Sequence, residues 1–340
     1  MKLEKIKCKP LERVKKLCIS KSYIIGCTGQ KAIILDKQLN LVHTVENLNY
    51  VYTAQISPDE SKLLLISNGN QFYIVDMQTF DVKRVTVKAP YNGNLEGRGC
   101  WSFDGKSVWI PLQRRTDYIN STLRRYSIEN LSDYQNYLED KYNLDDILKI
   151  DACEKYLLLG YNRKENNKRY FIYFDGVEFQ EFPVDLSVTM IAPTTTVDME
   201  KGIVTIASIA GCRQFTLEGK FIRTISHPEP KDKMLCFSDA FRNLFAYDPD
   251  KQNRIKESSI ALGIEDISAP DYINMYETSK CRNYIYLASE SGFYVLDMKT
   301  GNILAFVPEE YGVKSFVEIL PGLLALATWT GTKLYRLYDQ

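Results

Sequence analysis

Two polar segments hold the side chains best suited to recognising another molecule, residues 88–98 and residues 113–121. Arginine donates charge-assisted hydrogen bonds to carboxylates and carbonyl groups, and tyrosine supplies a rigid ring with a polar tip. Both segments are long, and long loops on a rigid scaffold are frequent sites of recognition. The sequence therefore predicts contacts with a protein or peptide partner, unless the two segments are merely solvated insertions. The residues predicted to bind the partner are Tyr91, Arg98, Arg114, Arg115 and Tyr118.

Catalytic chemistry finds little support in the chain. Its two histidines, His43 and His227, have no sequence neighbours that would complete a metal site or a pair of base and nucleophile. The patterns G-x-S-x-G, G-x-x-x-x-G-K-[ST] and G-x-G-x-x-G, which mark nucleophile elbows and phosphate-binding loops, do not occur in the sequence. We therefore predict no catalytic residue, no metal ligand and no cofactor, and we favour a non-catalytic protein over an enzyme.

The charge balance argues against two classes of partner. The 340 residues carry 43 Lys and Arg side chains and 43 Asp and Glu side chains, so the formal net charge at pH 7 is zero. Proteins that bind nucleic acid or anionic membranes use a positive field that this composition does not supply. We expect neither nucleic acid nor a membrane as a partner.

Composition and cysteine usage indicate a folded protein of the cytoplasm. Hydrophobic residues make up 45% of the chain and charged residues 25%, which is typical of globular proteins. The first residues contain no apolar segment of the kind that directs secretion. The eight cysteines are spread singly along the chain, as expected of reduced thiols in a cytoplasmic protein.

A repeat runs along the whole chain. Short apolar or alternating runs, each typical of a β-strand, recur at intervals of 39 to 49 residues. A four-stranded blade of a β-propeller has a period of roughly 40 to 45 residues. The runs begin at Tyr23, Lys62, Ser107, Tyr156, Ile203, Asn243, Tyr284 and Leu323.

Each repeat has the same internal order, in which one strand precedes a tight turn and three strands follow it. In the second repeat the strands are predicted over residues 51–56, 62–67, 71–76 and 80–87. A carboxylate that accepts hydrogen bonds from backbone N–H groups stabilises such turns, so the repeated aspartates are predicted to be structural. These aspartates are Asp59, Asp104, Asp151, Asp198 and Asp239.

The motif S-P-D-x-x-K-x-L-x-x-S at residues 57–67 and the strand F-Y-V-L-D at residues 293–297 resemble the YVTN-type and tryptophan-aspartate-repeat β-propeller superfamily. No Trp-Asp dipeptide ends a third strand and no Gly-His pair opens a repeat, so the resemblance is to the superfamily and not to one functional family. It implies an all-β chain in which residues 1–340 form a single propeller domain.

The repeat count favours eight four-stranded blades, with seven as the alternative if the weakest unit, residues 234–266, is an insertion. The last unit has three evident strands, at residues 313–319, 323–328 and 333–338. Residues 2–9 look like a strand and are predicted to complete that blade, which would close the ring without an exposed strand edge.

The resemblance also implies where function resides. Known propellers bind partners on the face that carries the loops between second and third strands, near the central channel. We predict a protein or peptide interaction scaffold that uses loops on one face. The alternative is a protein that binds small molecules, or a lactonase-like enzyme acting on sugars, at the channel mouth.

Overall fold

Strands dominate the described part of the chain, in which helix occurs only as short 3-10 turns. The computed structural model describes residues 2–6, 11, 14, 16–67, 69–91, 98–113, 121–166, 168–184, 194–208, 211–225, 273–278, 283–289, 293–297, 302–307, 313–328 and 331–338. These residues form seven four-stranded sheets. The chain divides into unit 1, with Met1–Leu17, Leu35–Leu41 and Ile225–Gln340, and unit 2, with Cys18–Ile34 and Val42–Thr224.

The strands follow one another in the order that the repeat predicts. The first strand, β1 (Lys2–Ile6), joins the last sheet, and the next four form sheet 1: β2 (Lys16–Ile19), β3 (Tyr23–Cys27), β4 (Ala32–Asp36) and β5 (Leu41–Val45). Sheet 2 contains β6 (Val51–Ile56), β7 (Lys62–Ser67), β8 (Gln71–Asp76) and β9 (Val82–Thr86). Sheet 3 contains β10 (Cys100–Trp101), β11 (Ser107–Gln113), β12 (Ser121–Ser127) and β13 (Tyr134–Tyr137).

Sheet 4 contains β14 (Asn143–Ile150), β15 (Lys155–Asn162), β16 (Lys168–Phe174) and β17 (Phe179–Val184). Sheet 5 contains β18 (Thr194–Asp198), β19 (Ile203–Ser208), β20 (Gly211–Thr216) and β21 (Phe221–Ile225). Sheet 6 contains β22 (Ile273–Thr278), β23 (Tyr284–Ser289), β24 (Phe293–Asp297) and β25 (Ile303–Val307). Sheet 7 contains β26 (Val313–Leu320), β27 (Leu323–Thr328) and β28 (Gly331–Tyr338), with β1 at its edge. The predicted sixth repeat, residues 234–266, lies outside the described residues.

In unit 2 the central strands of a sheet are buried on both faces. On β7, Leu63 and Leu65 belong to the core shared with sheet 1, whereas Leu64 and Ile66 belong to the core shared with sheet 3. Two covered faces explain why these strands are continuous apolar runs and not alternating ones. The first strands of successive sheets also contact each other, β6 with β10, β10 with β14 and β14 with β18.

In unit 1 the N-terminal strand completes the last sheet. Strand β1 pairs antiparallel with β28 over five residues, from Lys2 opposite Tyr338 to Ile6 opposite Leu334. Leu3 and Leu337 pack against the core between sheets 6 and 7, which includes Phe293 and Phe316. The predicted pairing between the first segment and the last strand is therefore present.

The turns between first and second strands are held by aspartates, as predicted for Asp59, Asp104 and Asp198. Asp59 Oδ1 accepts a hydrogen bond from the Ser61 N–H at 3.1 Å, and Asp104 Oδ1 accepts one from the Lys106 N–H at 2.9 Å. Asp198 Oδ1 accepts from the Lys201 N–H at 3.1 Å. The predicted Asp239 lies outside the described residues.

The prediction for Asp151 was wrong. Its carboxylate lies 3.6 Å from Lys149 Nζ. The residue itself starts a 3-10 turn, Asp151–Cys153, which is followed by Glu154 in the left-handed backbone region. In the turns of Asp59 and Asp104, a serine hydroxyl two residues earlier donates to the carboxylate. Lys149 stands at that position before Asp151, and its ammonium group lies near the carboxylate.

Candidate functional site

Both segments predicted to bind a partner start or end at one end of sheet 3. Antiparallel pairing places Cys100 of β10 opposite Trp109 of β11 and Gln113 of β11 opposite Ser121 of β12. The start of β10 and the loop between β11 and β12 are therefore at the same end of the sheet. We call this end, with residues 91, 98–99, 113, 121 and 136–140, the loop edge.

Tyr91 fixes the first segment to the sheet. The residue is 3% exposed and packs in the core between sheets 2 and 3, together with Val87 and Trp101. Its hydroxyl lies 3.5 Å from Glu139 Oε1. The ring is thus covered by the protein itself, so Tyr91 holds the segment against sheet 3.

Arg98 lies at the end of the same segment and is half-buried. It precedes Gly99, which has a φ of +152°. A Cβ atom on Gly99 would lie 2.9 Å from the Trp109 carbonyl oxygen and 2.9 Å from Ile66 Cδ1. The Gly99 carbonyl in turn accepts a hydrogen bond of 2.7 Å from Gln55 Nε2. Because only glycine fits this close approach, the backbone that carries Arg98 has a defined position.

The loop edge also contains a buried cation that the sequence analysis missed. Arg124 on β12 is 1% exposed, and its Nε donates to Asn136 Oδ1 at 2.7 Å. Three tyrosine rings surround its guanidinium, with centroids 4.1 Å away for Tyr134, 5.4 Å for Tyr91 and 5.8 Å for Tyr126. The negative faces of the rings offset the cost of burying the charge.

The electrostatics of this cluster favour an un-ionised Tyr126. Burial raises the pKa of Tyr126 above its usual value, and the neighbouring Arg124 opposes that shift only in part. No carboxylate of the described residues forms a salt bridge with Arg124. Glu139 is connected to it through Asn136, whose Nδ2 donates to Glu139 Oε1 at 2.5 Å. The cluster therefore binds β12, β13 and the Tyr91 segment together as one unit. The pair Arg124-Arg125 inside strand β12 could have indicated a buried cation, but it does not identify the rings that surround it.

The second segment begins at Gln113. The side-chain oxygen of Gln113 is buried and has no hydrogen-bond partner among the described residues. Arg114, Arg115 and Tyr118, which follow it, lie outside the described residues. The structure thus locates two of the five predicted residues, Tyr91 and Arg98, at the loop edge. The burial of Tyr91 suits a supporting position and not the direct contact that the sequence predicts, and the contact of Arg98 with a partner stays a prediction.

Sheet 4 presents a second polar cluster, at the start of β14. Glu181 accepts hydrogen bonds from the Tyr142 hydroxyl at 2.7 Å and from Lys141 Nζ at 2.6 Å. Burial and this carboxylate raise the pKa of Tyr142, and burial with the nearby Glu165 raises the pKa of Tyr170 to about 12. Both tyrosines are therefore protonated hydrogen-bond donors at neutral pH and would not act as bases.

The described stretches contain neither a cluster of metal-ligating side chains nor a membrane-spanning helix. No group of three or more His, Cys, Asp or Glu side chains there could hold a metal ion. Across the same residues, no helix has the length and apolar character needed to cross a membrane.

Comparison with known proteins establishes the fold. No protein-family model matches the sequence, and no curated protein matches it. Among solved structures, the β-propeller domain of Cps50 (Swd1) from Myceliophteria thermophila matches with a TM-score of 0.59 and 10% sequence identity, over 98% of this chain and 98% of that one. The chain has a β-propeller fold. The resemblance to tryptophan-aspartate-repeat propellers that the sequence predicts is thereby confirmed at the level of the fold.

The propeller fold alone does not select a biochemical activity. In total, 1336 chains of solved structures match this one, and a fold shared so widely carries many unrelated functions. At 10% identity the similarity transfers no residue roles. Function must therefore be argued from the surfaces of this chain.

Proposed function

We propose that this protein is a non-catalytic β-propeller scaffold that binds a protein or peptide partner through the loop edge of sheet 3. The observation that carries the proposal is the rigid support of that edge. Tyr91, Gly99 and Arg124 hold the first segment against the sheet with hydrogen bonds and ring contacts, and the second segment leaves the same end of the sheet at Gln113. A rigid support lowers the entropy that loops lose on binding, which favours recognition.

The proposal assigns each side chain a role. Arg98, Arg114 and Arg115 donate hydrogen bonds to carboxylate or carbonyl groups of the partner, and Tyr118 provides an aromatic anchor. Tyr91 is 3% exposed, so its role is to position the segment that carries Arg98. An acidic or carbonyl-rich partner segment would complement these three arginines.

The architecture that belongs to this proposal is one propeller over residues 1–340 whose ring is closed by the pairing of β1 with β28. Eight blades are preferred, and seven are the alternative if residues 234–266 are an insertion. The observed pairing of β1 with β28 supports closure, since it joins the two ends of the chain in one sheet. A cytoplasmic location is part of the same proposal.

Affinity purification tests the proposed edge. The variant R114A/R115A should recover less of the partner than the unchanged protein, because two charged donors are removed. The matched control is K83A/K220A, which removes two positive charges from exposed positions on other parts of the chain. Equal recovery by R114A/R115A and the control would show that the two arginines do not bind the partner.

A ligand screen separates the scaffold from the alternative of a small-molecule protein. Sugars, sugar phosphates and divalent metals are added to the purified protein, and the melting temperature is measured. Ligands that bind the folded state raise it by mass action. The scaffold hypothesis predicts no shift with any of these compounds, and a saturable shift of several degrees would favour a sugar-binding or lactonase-like protein.

A further inference from the structure

The turns between first and second strands in unit 2 form a second surface, at the end of the sheets opposite to the loop edge. Neighbouring turns contact each other along it. The Lys21 N–H donates to Glu60 Oε1 at 2.8 Å, which joins the turns of sheets 1 and 2. Between sheets 3 and 4, the Phe103 N–H donates to the Tyr156 hydroxyl at 3.1 Å.

The turns of sheets 4 and 5 are separated by a groove. It has a volume of about 630 Å³ and is lined by residues 148–152 of one turn and residues 197–200 of the other. Ligand sites have volumes of roughly 300 to 1,000 Å³. The groove is therefore large enough to take several side chains of another molecule.

The floor of this groove is apolar. Leu148, Val197 and Met199 are partly buried side chains at the margin of the core between sheets 4 and 5, and Ile150 belongs to that core. In the same core, the Tyr173 hydroxyl is buried without a hydrogen-bond partner among the described residues. Partly exposed apolar side chains grouped in a groove are a feature of surfaces that receive a partner.

The rim of the groove is acidic. Asp151 has a side chain that is 84% exposed, and Asp198 and Glu200 are exposed as well. The one cation among the lining residues, Lys149, lies 4.3 Å above the Phe103 ring and 3.6 Å from Asp151. Lys201 pairs with Asp198 at 3.5 Å, whereas Glu200 has no ion pair among the described residues.

The turn that departs from the repeated design is the one that forms this rim. At Asp59 and Asp104 the carboxylate accepts hydrogen bonds from its own turn. At Asp151 the 3-10 turn leaves the carboxylate in solvent.

We propose that this groove binds a segment of a protein partner that carries a lysine or arginine next to an apolar side chain. The cation lies against Asp151 and Glu200, and the apolar side chain covers Leu148 and Met199. Charge complementarity carries the choice of occupant. With Asp198 paired to Lys201, the lining leaves the two carboxylates of Asp151 and Glu200 against one lysine, Lys149. This second surface does not depend on the loop edge.

A peptide titration tests the proposal. The probe is a short fluorescein-labelled peptide with two lysines alternating with two leucines between glycine and serine residues, and fluorescence anisotropy reports binding. The double variant D151K/E200K should weaken binding by roughly tenfold or more, because attraction becomes repulsion. The matched control E178K reverses an exposed charge in a turn of sheet 4 outside the groove and should leave the affinity unchanged.

Two comparison peptides and one spectroscopic readout make the outcome decisive. Peptides with glutamate for lysine, or serine for leucine, should fail to bind. In protein with 13C-labelled methionine methyl groups, the Met199 signal, assigned with M199L, should shift on addition of the probe. Absence of binding, equal binding of all three peptides, or a Met199 signal that does not move would overturn the proposal. Loss of partner recovery in R114A/R115A has no bearing on these measurements, so the two proposals fail separately.

Discussion

Replacing Gly99 by alanine tests the structural support of the loop edge. Gly99 has a φ of +152°, a region that residues other than glycine reach at a cost of about 1–3 kcal/mol. The added Cβ would also lie 2.9 Å from the Trp109 carbonyl oxygen. That oxygen belongs to β11, so relief of the clash needs a shift of the strand at a cost of about 1–3 kcal/mol.

The control is Gly176→Ala. Gly176 has a φ of +103°, and a Cβ there would find nothing within 4 Å, so this variant measures backbone strain without a clash. We expect G99A to lower the free energy of unfolding by about 2–6 kcal/mol and G176A by about 1–3 kcal/mol. For a chain of 340 residues, an unfolding entropy of about 2.1 cal/mol/K per residue gives about 1.4 °C per kcal/mol, so G99A should melt about 1–4 °C below G176A.

Differential scanning fluorimetry and urea denaturation measure both variants, and partner recovery is measured on the soluble G99A protein. G99A should also recover less partner, because Arg98 is displaced although it is not replaced. If G99A melted within 1 °C of G176A, the close packing of Gly99 against β11, and the rigid edge inferred from it, would be refuted.

Two further predictions concern a turn and the buried cation. Hydrogen bonds from Ser57 and Ser61 lower the pKa of Asp59 to about 2, below its value of about 3.9 in the unfolded chain. The ionised carboxylate therefore stabilises the folded protein above pH 4. This contribution is lost as the pH falls towards 2. Urea midpoints should therefore fall less between pH 4 and pH 2 in D59N than in the unchanged protein, and parallel pH curves would contradict this. The variant R124K keeps a charge but loses the planar donor that binds Asn136, so its free energy of unfolding should fall by about 1–3 kcal/mol. An unchanged denaturation midpoint would show that the guanidinium contacts do not stabilise the edge.

Local features of the chain allow most of the strands and turns to be predicted. In the second repeat the predicted strands over residues 51–56, 62–67 and 71–76 match β6, β7 and β8. Each is a short apolar run bounded by turn residues, and these signals act over a few neighbouring positions. The hydrogen-bonded carboxylates of Asp59 and Asp104 follow in the same way from a serine two residues earlier.

Features that need contacts between distant residues were not predictable. Arg124 is buried because rings from Tyr91 and Tyr134 meet around it, and no pattern within β12 announces those neighbours. The groove between the turns of sheets 4 and 5 depends on how two sheets pack at their ends, which strand periodicity does not specify. Asp151 occupies the repeat position of Asp59 and Asp104 but starts a 3-10 turn, a difference that the repeat alone does not predict.

Closure of the propeller depends most directly on the pairing of the two chain ends. This pairing can be tested by removing β1 and adding it back as a separate peptide, with the melting temperature as the readout. A chain lacking residues 1–6 loses the partner strand of β28 and the contact of Leu3 with the core. It should melt at a lower temperature than the full chain, and a synthetic peptide of residues 1–9 should restore the lost stability while a scrambled peptide should not. A truncated chain that melts like the full protein, or that gains nothing from the native peptide, would contradict closure through β1.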